Sequence, residues 1–400
     1  MTTRHTITIA QRQSRLATRH LLLASTRTDD VAAITDALVA LHSTDPATVY
    51  LSATARMRHP SIGAVSKALY DDRTVVRHHA MRRTLWVLTP QTARWAHAAC
   101  TVAIAKAQSK RLARMAEDSG LATDGAAWAT VAMSRALSAL TAMGTATARE
   151  LGKAVPELTG KMHLTVRDTK VAVGGAHTRL LLNLGFEGAI VRGRPNGSWT
   201  NSEYPWTVAD RWLAGGLVGE DVDESAAELA RHYLARFGPA STADLQWWAG
   251  WTAGVTKRAL AAIDAVDVDL DTGTGWVLPE DAEDLAADTT DEPWVALLPA
   301  LDPTTMGWKN RSWYLGDLAE FGGPVFDTNG NAGPTIWVDG RVVGGWAQRK
   351  SGEIAYKLLA GVAAKRVKQI DAEAARLRDL IGDARVSVRF PAPMEQSLLA

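Results

Sequence analysis

The sequence predicts an α+β chain, built of tandem winged helix-turn-helix domains followed by a small C-terminal β-barrel-like domain. Three observations carry this. Clusters of helix-period segments recur along the chain, and each ends in a strand-like pair. Asn196-Gly197 stands between two such runs, a strong local hairpin signal. After an acidic stretch at 280–292 the pattern turns to β-branched and aromatic runs. The implied segments are 1–118, 119–215, 216–290 and 291–400, the first three winged-helix domains and the last a β-rich domain with one helix.

In order, Leu16, Leu21, Leu22 and Leu23 fall on one side of 11–27, which predicts a helix. Asp29 and Asp30 cap a second over 30–41. Asp45 as N-cap and Pro46 at the first helical position open a third. Ser61 opens a fourth over 62–70, and strands follow at 74–79 and 83–88. The second segment predicts a helix over 124–141 and a short one from Thr145 or Thr147 to Pro156. A helix over 168–183 and an Asn-Gly hairpin complete it. The third predicts helices over 224–237 and 255–264 around the tryptophan-rich "QWWAGW", then a hairpin within 264–280. Residues 280–292 read as a linker. "WVALLPALD", "TIWVDGRVVGGWAQ", "GEIAYKLL" and "RVSVRF" read as strands, interrupted by a helix over 360–381.

The 400 residues are 46% hydrophobic and 22% charged, with a single cysteine, Cys100. That excludes an internal disulfide or a cysteine-based zinc cluster and fits a reducing, cytoplasmic setting. No run is long enough to span a bilayer and the first residues lack a signal-peptide core, so no membrane role is expected. No phosphate loop with a lysine or nucleophile elbow is present. His78 and His79 would point to opposite faces of a strand, and no metal or cofactor is expected. The net charge of +1 hides an asymmetry: residues 1–120 hold 17 Lys/Arg against 8 Asp/Glu, and residues 210–292 hold 5 against 18. A basic front suits a phosphate backbone, so double-stranded DNA is the expected partner of a monomeric chain.

The stretch "VALHSTDPATVYLSATARM" sets His42, Ser43, Thr44 and Asp45 at a seam between helices. A neutral His42 could take a proton from water, Thr44 could hold that water, and Asp45 could orient the imidazole or offset charge. The plainer reading is a helix-to-helix turn in which Asp45 only caps. Arg77, Arg82 and Arg83 flank the first wing; Arg192, Arg194 and Asn196 form the second, and all six are candidate DNA contacts. Of the fifteen tryptophans, Trp247 and Trp251 share a helix face and read as core. Asp302 follows an apolar strand and is expected to face a DNA channel.

"LVALHSTDPATVYLSATARM", "FGPASTADLQWWAGW", "LLPALDPTTMGWKNRSWYL" and "VDGRVVGGWAQRK" resemble, in order, blocks of the AlkZ-like winged-helix DNA glycosylases, the AlkZ and YcaQ type. The resemblance covers most of the chain. It implies tandem winged helices and a β-barrel in a C-shaped body around DNA, with a β-hairpin probing the minor groove, a part assigned here to the Arg192–Asn196 tip. It implies excision of N7-alkylated purines by hydrolysis of the N-glycosidic bond, and in some members crosslink unhooking. Members known as glycosylases carry Gln-x-Gln or Gln-x-Asp at the turn, positions that fall on His42 and Thr44. Two functions stay open: a monofunctional glycosylase acting through an activated water, and a non-catalytic DNA-binding protein serving regulation or lesion recognition.

Overall fold

The computed structural model describes residues 5–166, 169–283, 290–319 and 323–400 and is a mixed α+β architecture. The first helix, Ile9–Arg19, is opened by a capping box in which Thr8 and Gln11 satisfy each other's main-chain amides. It stops well short of the expected residue 27. His20 closes it and Leu21 takes a positive φ of 55°, which a helix cannot continue through. Helices Val31–Ala37, Pro46–Thr54 and Ile62–Tyr70 follow at the expected caps. Strands Val76–His79 and Leu85–Leu88 pair antiparallel around the bend at Met81–Arg83. A third, two-residue strand, Leu41–His42, adds to the other edge of Leu85–Leu88.

Residues 90–118 form a nearly continuous helical run, with one wide turn at His97–Thr101. Helix Gly125–Met143 comes next, and Thr147 caps the short helix Ala148–Ala154. The helix expected over 168–183 begins only at Ala176. Before it, Lys161–Val166 and Thr169–Gly175 form an antiparallel hairpin whose second strand is closed by Gly174 at φ 105°. The β-branched Thr169, Val171 and Val173 favour the extended state here. The Asn-Gly hairpin is looser than predicted. Its strands, Ile190–Arg192 and Trp206–Val208, are joined by a long loop, 193–205, that folds back so that Trp199 meets Tyr50 with centroids 5.2 Å apart.

Helices Val222–Phe237, Thr242–Ala249 and Ala253–Ala262 and the hairpin Val266–Leu270/Gly273–Val277 fill the third segment. Of the expected linker, 280–283 belong instead to a short helix, Pro279–Glu283, and 284–289 lie outside the described residues. The C-terminal strands are an open four-stranded antiparallel meander, Val295–Leu298, Thr335–Val338, Arg341–Gln348 and Ile354–Leu358, rather than a barrel. "RVSVRF" adds no strand to it. Closure is not needed, because helix Ala364–Ile381 covers one face with Ile370, Ala374, Leu377 and Ile381. Leu51 of helix Pro46–Thr54 enters the same cluster. The largest core runs from Leu16 and Trp86 through Tyr233, Phe237 and Trp248 to Trp308 and Trp337, so it ties the front of the chain to its C-terminal half. Trp251 is core as expected, whereas Trp247 is half-buried and carries Arg82 over its ring at 4.2 Å.

Candidate active site and nucleic-acid interface

The turn 42–45 is clamped from two sides. Thr48 donates its hydroxyl to the carbonyl of Ala300 at 3.0 Å, and Leu51 packs into the C-terminal sheet. On the other side the strand pairing sets His42 opposite Trp86, with ring centroids 4.6 Å apart.

His42 is only 4% exposed. The Thr44 amide donates to its Nδ1 at 3.4 Å, so Nδ1 is an acceptor and the ring proton sits on Nε2. Burial, helped by the charge of Arg82, lowers its pKa to about 3. The titration near 6.5 expected of a general base is therefore displaced: desolvation disfavours the imidazolium and the ring is neutral through the ordinary histidine range. Thr44 is half-buried and meets His42 through its main chain.

Asp45 occupies the N-cap position, with φ −95° and ψ 124° and Pro46 behind it, yet its side chain makes no capping bond. Its carboxylate accepts the Arg389 amide at 3.3 Å instead. Burial raises its pKa, opposed by that bond and by the Arg389 charge. An aspartate that forgoes the cap gives up roughly 1 kcal/mol of helix stability, an outlay that a solvated turn has no reason to make.

The carboxylate lines a cavity with Glu395, Thr48, Trp346, Gln348 and Ser387. The cavity measures about 20 Å³, enough for roughly one water. Gln348 is already spent, donating to the Ala384 carbonyl at 3.2 Å and accepting the Val386 amide at 2.9 Å. Glu395, on helix Pro393–Leu399, is 6% exposed and its Oε2 is buried without a hydrogen-bond partner. Burial, then the charge of Asp45, pushes its pKa up to about 7. Of the three residues predicted for catalysis, Asp45 alone lines this cavity. Glu395 and Arg389 were not foreseen. In "PAPMEQ" a glutamate after proline reads as an ordinary helix start, and proximity to Asp45 exists only in the fold.

A cationic cluster adjoins the turn. Arg77 is 6% exposed, donating Nε to Ser43 Oγ at 2.8 Å and Nη1 to the Tyr70 hydroxyl at 2.7 Å, while Nη2 has no partner. Arg192 lies over the Tyr204 ring at 4.1 Å with Nη2 3.4 Å from His79 Nε2, and its Nε has no partner. Burial, then the charges of Arg77 and Arg389 against that of Tyr204, lowers the Arg192 pKa to about 10. Arg77, Arg192 and Arg389 thus gather around Tyr204. Arg194 pairs at the surface with Asp71 at 2.7 Å.

The other predicted contacts separate from this cluster. Arg82 is packed between Trp86 and Trp247, and Arg83 is exposed. Arg82 and Arg83 both carry positive φ, 55° and 62°. Asn196 is tied by its main chain to Glu203 and Asn201. Asp302 does not face a channel. It is fully buried in a bidentate pair with Arg56, because an apolar strand end leads into the core here and the carboxylate is neutralised there.

The family model described as DNA glycosylase AlkZ-like matches residues 35–380. Among solved structures, the Streptomyces sahachiroi DNA glycosylase AlkZ superposes with a TM-score of 0.72 at 20% identity. The match covers 96% of this chain and 99% of that one, and speaks to the fold. No curated protein matches in sequence. Arg389 and Glu395 lie beyond the residues the family model matches.

Proposed function

The chain belongs to the AlkZ-like DNA glycosylase family, and on that premise we propose that it is a monofunctional enzyme hydrolysing the N-glycosidic bond of N7-alkylated or other bulky purines, with a water activated at Asp45. The carrying observation is the buried, non-capping Asp45 carboxylate beside a cavity that admits about one water. Glycosidic cleavage passes through an oxocarbenium-like sugar and needs a nearby anion and an oriented water. Asp45 supplies both, offsetting sugar charge and accepting the proton of the attacking water. An N7-alkylguanine is already cationic and leaves without an acid. His42, held neutral, offers an N–H donor instead of a base, and Thr44 fixes its ring.

Substrate enters as double-stranded DNA held by tandem winged helices, one chain sufficing. The paired, counterion-free Arg77 and Arg192, with Arg389, form a cradle for a backbone phosphate beside the turn. The loop 193–205 is fastened to the first segment through Arg194–Asp71 and Trp199–Tyr50. That favours the hairpin Lys161–Val166/Thr169–Gly175 as the element that enters the minor groove. The replacement of both motif glutamines by His42 and Thr44 favours a second reading, DNA binding without catalysis. Base release from a duplex carrying one N7-methylguanine, with wild type and Asp45→Asn, separates the two.

A further inference from the structure

Water activation alone gives Glu395 no chemical task, and the Ala392 amide at the start of its helix engages only part of its carboxyl. It shares the Asp45 cavity, and its Oε2 is buried and unpartnered. A buried polar atom without a partner costs stability, so its retention points to a ligand that completes it. Two carboxyl groups beside one reacting water are the equipment of a glycosidase, in which one gives a proton and the other takes one.

Resting on the reading above, we propose that Glu395 is the general acid of this site and Asp45 its base, so that the enzyme excises uncharged purine adducts as well as N7-cations. An uncharged purine leaves only if a ring nitrogen is protonated. The proton of Glu395 goes to that nitrogen, and the C1′–N9 electron pair moves onto the purine. The cavity water attacks C1′ and yields its proton to Asp45. Transfer of that proton from Asp45 to Glu395 then restores both groups. A pKa near 7 keeps a working fraction of Glu395 protonated at neutral pH.

The groups around Glu395 leave it that freedom. Asp45 faces it as the anion, and Arg389 approaches Asp45. Arg349 is turned to the Leu398 carbonyl and Glu353. On the strands that carry its helix, Gln348 is spent, Arg341 and Lys357 are exposed, and Tyr356 is bonded to Asp371.

The test is single-turnover release of ethenoadenine, an uncharged adduct, and of N7-methylguanine, a cation, from otherwise identical duplexes across pH 6–9. Wild type should release both, with ethenoadenine release falling about tenfold per pH unit above about 7 and N7-methylguanine release holding level. Glu395→Gln should lower ethenoadenine release on the order of 100-fold or more, and N7-methylguanine release less than about threefold. Equal losses for the two lesions would mark Glu395 as structural and overturn the proposal. So would wild type that releases N7-methylguanine and never ethenoadenine, a result that leaves the water-activation reading intact. Release of neither lesion takes down both. The wild-type profile reads the proposal even where the variant fails to fold.

Discussion

Arg56 and Asp302 meet through two hydrogen bonds, Nη1 to Oδ2 at 3.0 Å and Nη2 to Oδ1 at 2.9 Å, with both side chains out of solvent. The pair fastens the end of helix Pro46–Thr54 to the segment after the first C-terminal strand. Its remaining valences are met: Asp302 caps Thr304, and Arg56 also donates to the carbonyls of His20 and Ser52. Asp302→Ala leaves an unpaired buried guanidinium and should cost about 3–5 kcal/mol of stability in urea unfolding. A cost under about 1 kcal/mol would show that the pair does not hold these segments together.

His42 should govern part of the acid stability. Its folded pKa of about 3 lies below the ordinary 6.5, so between those values the unfolded chain binds a proton that the folded chain refuses. Stability is then complete above about pH 6.5 and is lost as pH falls toward 3, by on the order of 5 kcal/mol in the limit. His20, His78, His79 and His97 are depressed by burial too, so the comparison is wild type against His42→Gln. The variant should show a shallower loss between pH 6 and 4. An unchanged slope would contradict the assigned environment, as would a His42 ring that titrates near 6.5 by NMR.

The arginine cradle predicts a split among the basic residues. Arg192→Ala and Arg389→Ala should weaken DNA binding and each reduce the salt slope by about 0.9. Arg82→Ala should leave that slope unchanged and lower stability, because its guanidinium is packed on Trp247. Titrations by fluorescence anisotropy at several salt concentrations read both quantities. Equal slopes for Arg192→Ala and Arg82→Ala would remove the cradle from the account.

Much of the fold was readable because local signals are strong where caps and periodicity agree. Asp30, Ser61 and Thr147 accept main-chain amides at the helix starts assigned to them. Failures came where tertiary context decides. Residues 169–175 alternate too weakly to distinguish from the helix that follows, and the Asn196-Gly197 turn yields to the docking of Trp199 on Tyr50. The candidate site is only partly legible in the sequence. Asp45 was visible as a carboxylate in an odd turn. Its refusal to cap was not, because that depends on Arg389 and Glu395, some 350 residues away. Asp302 misled because an aspartate at a strand end looks solvent-facing until Arg56 is known to lie opposite.

The central claim is that Asp45 activates the water. The most direct test is single-turnover release of N7-methylguanine from duplex DNA by wild type and by Asp45→Asn, with DNA affinity measured in parallel. Wild type should release the base. Asp45→Asn should bind with unchanged affinity and release it at least 100-fold more slowly, the loss expected on removal of a general base. Release by Asp45→Asn at the wild-type rate would contradict the claim, as would intact DNA binding by a wild type that releases nothing.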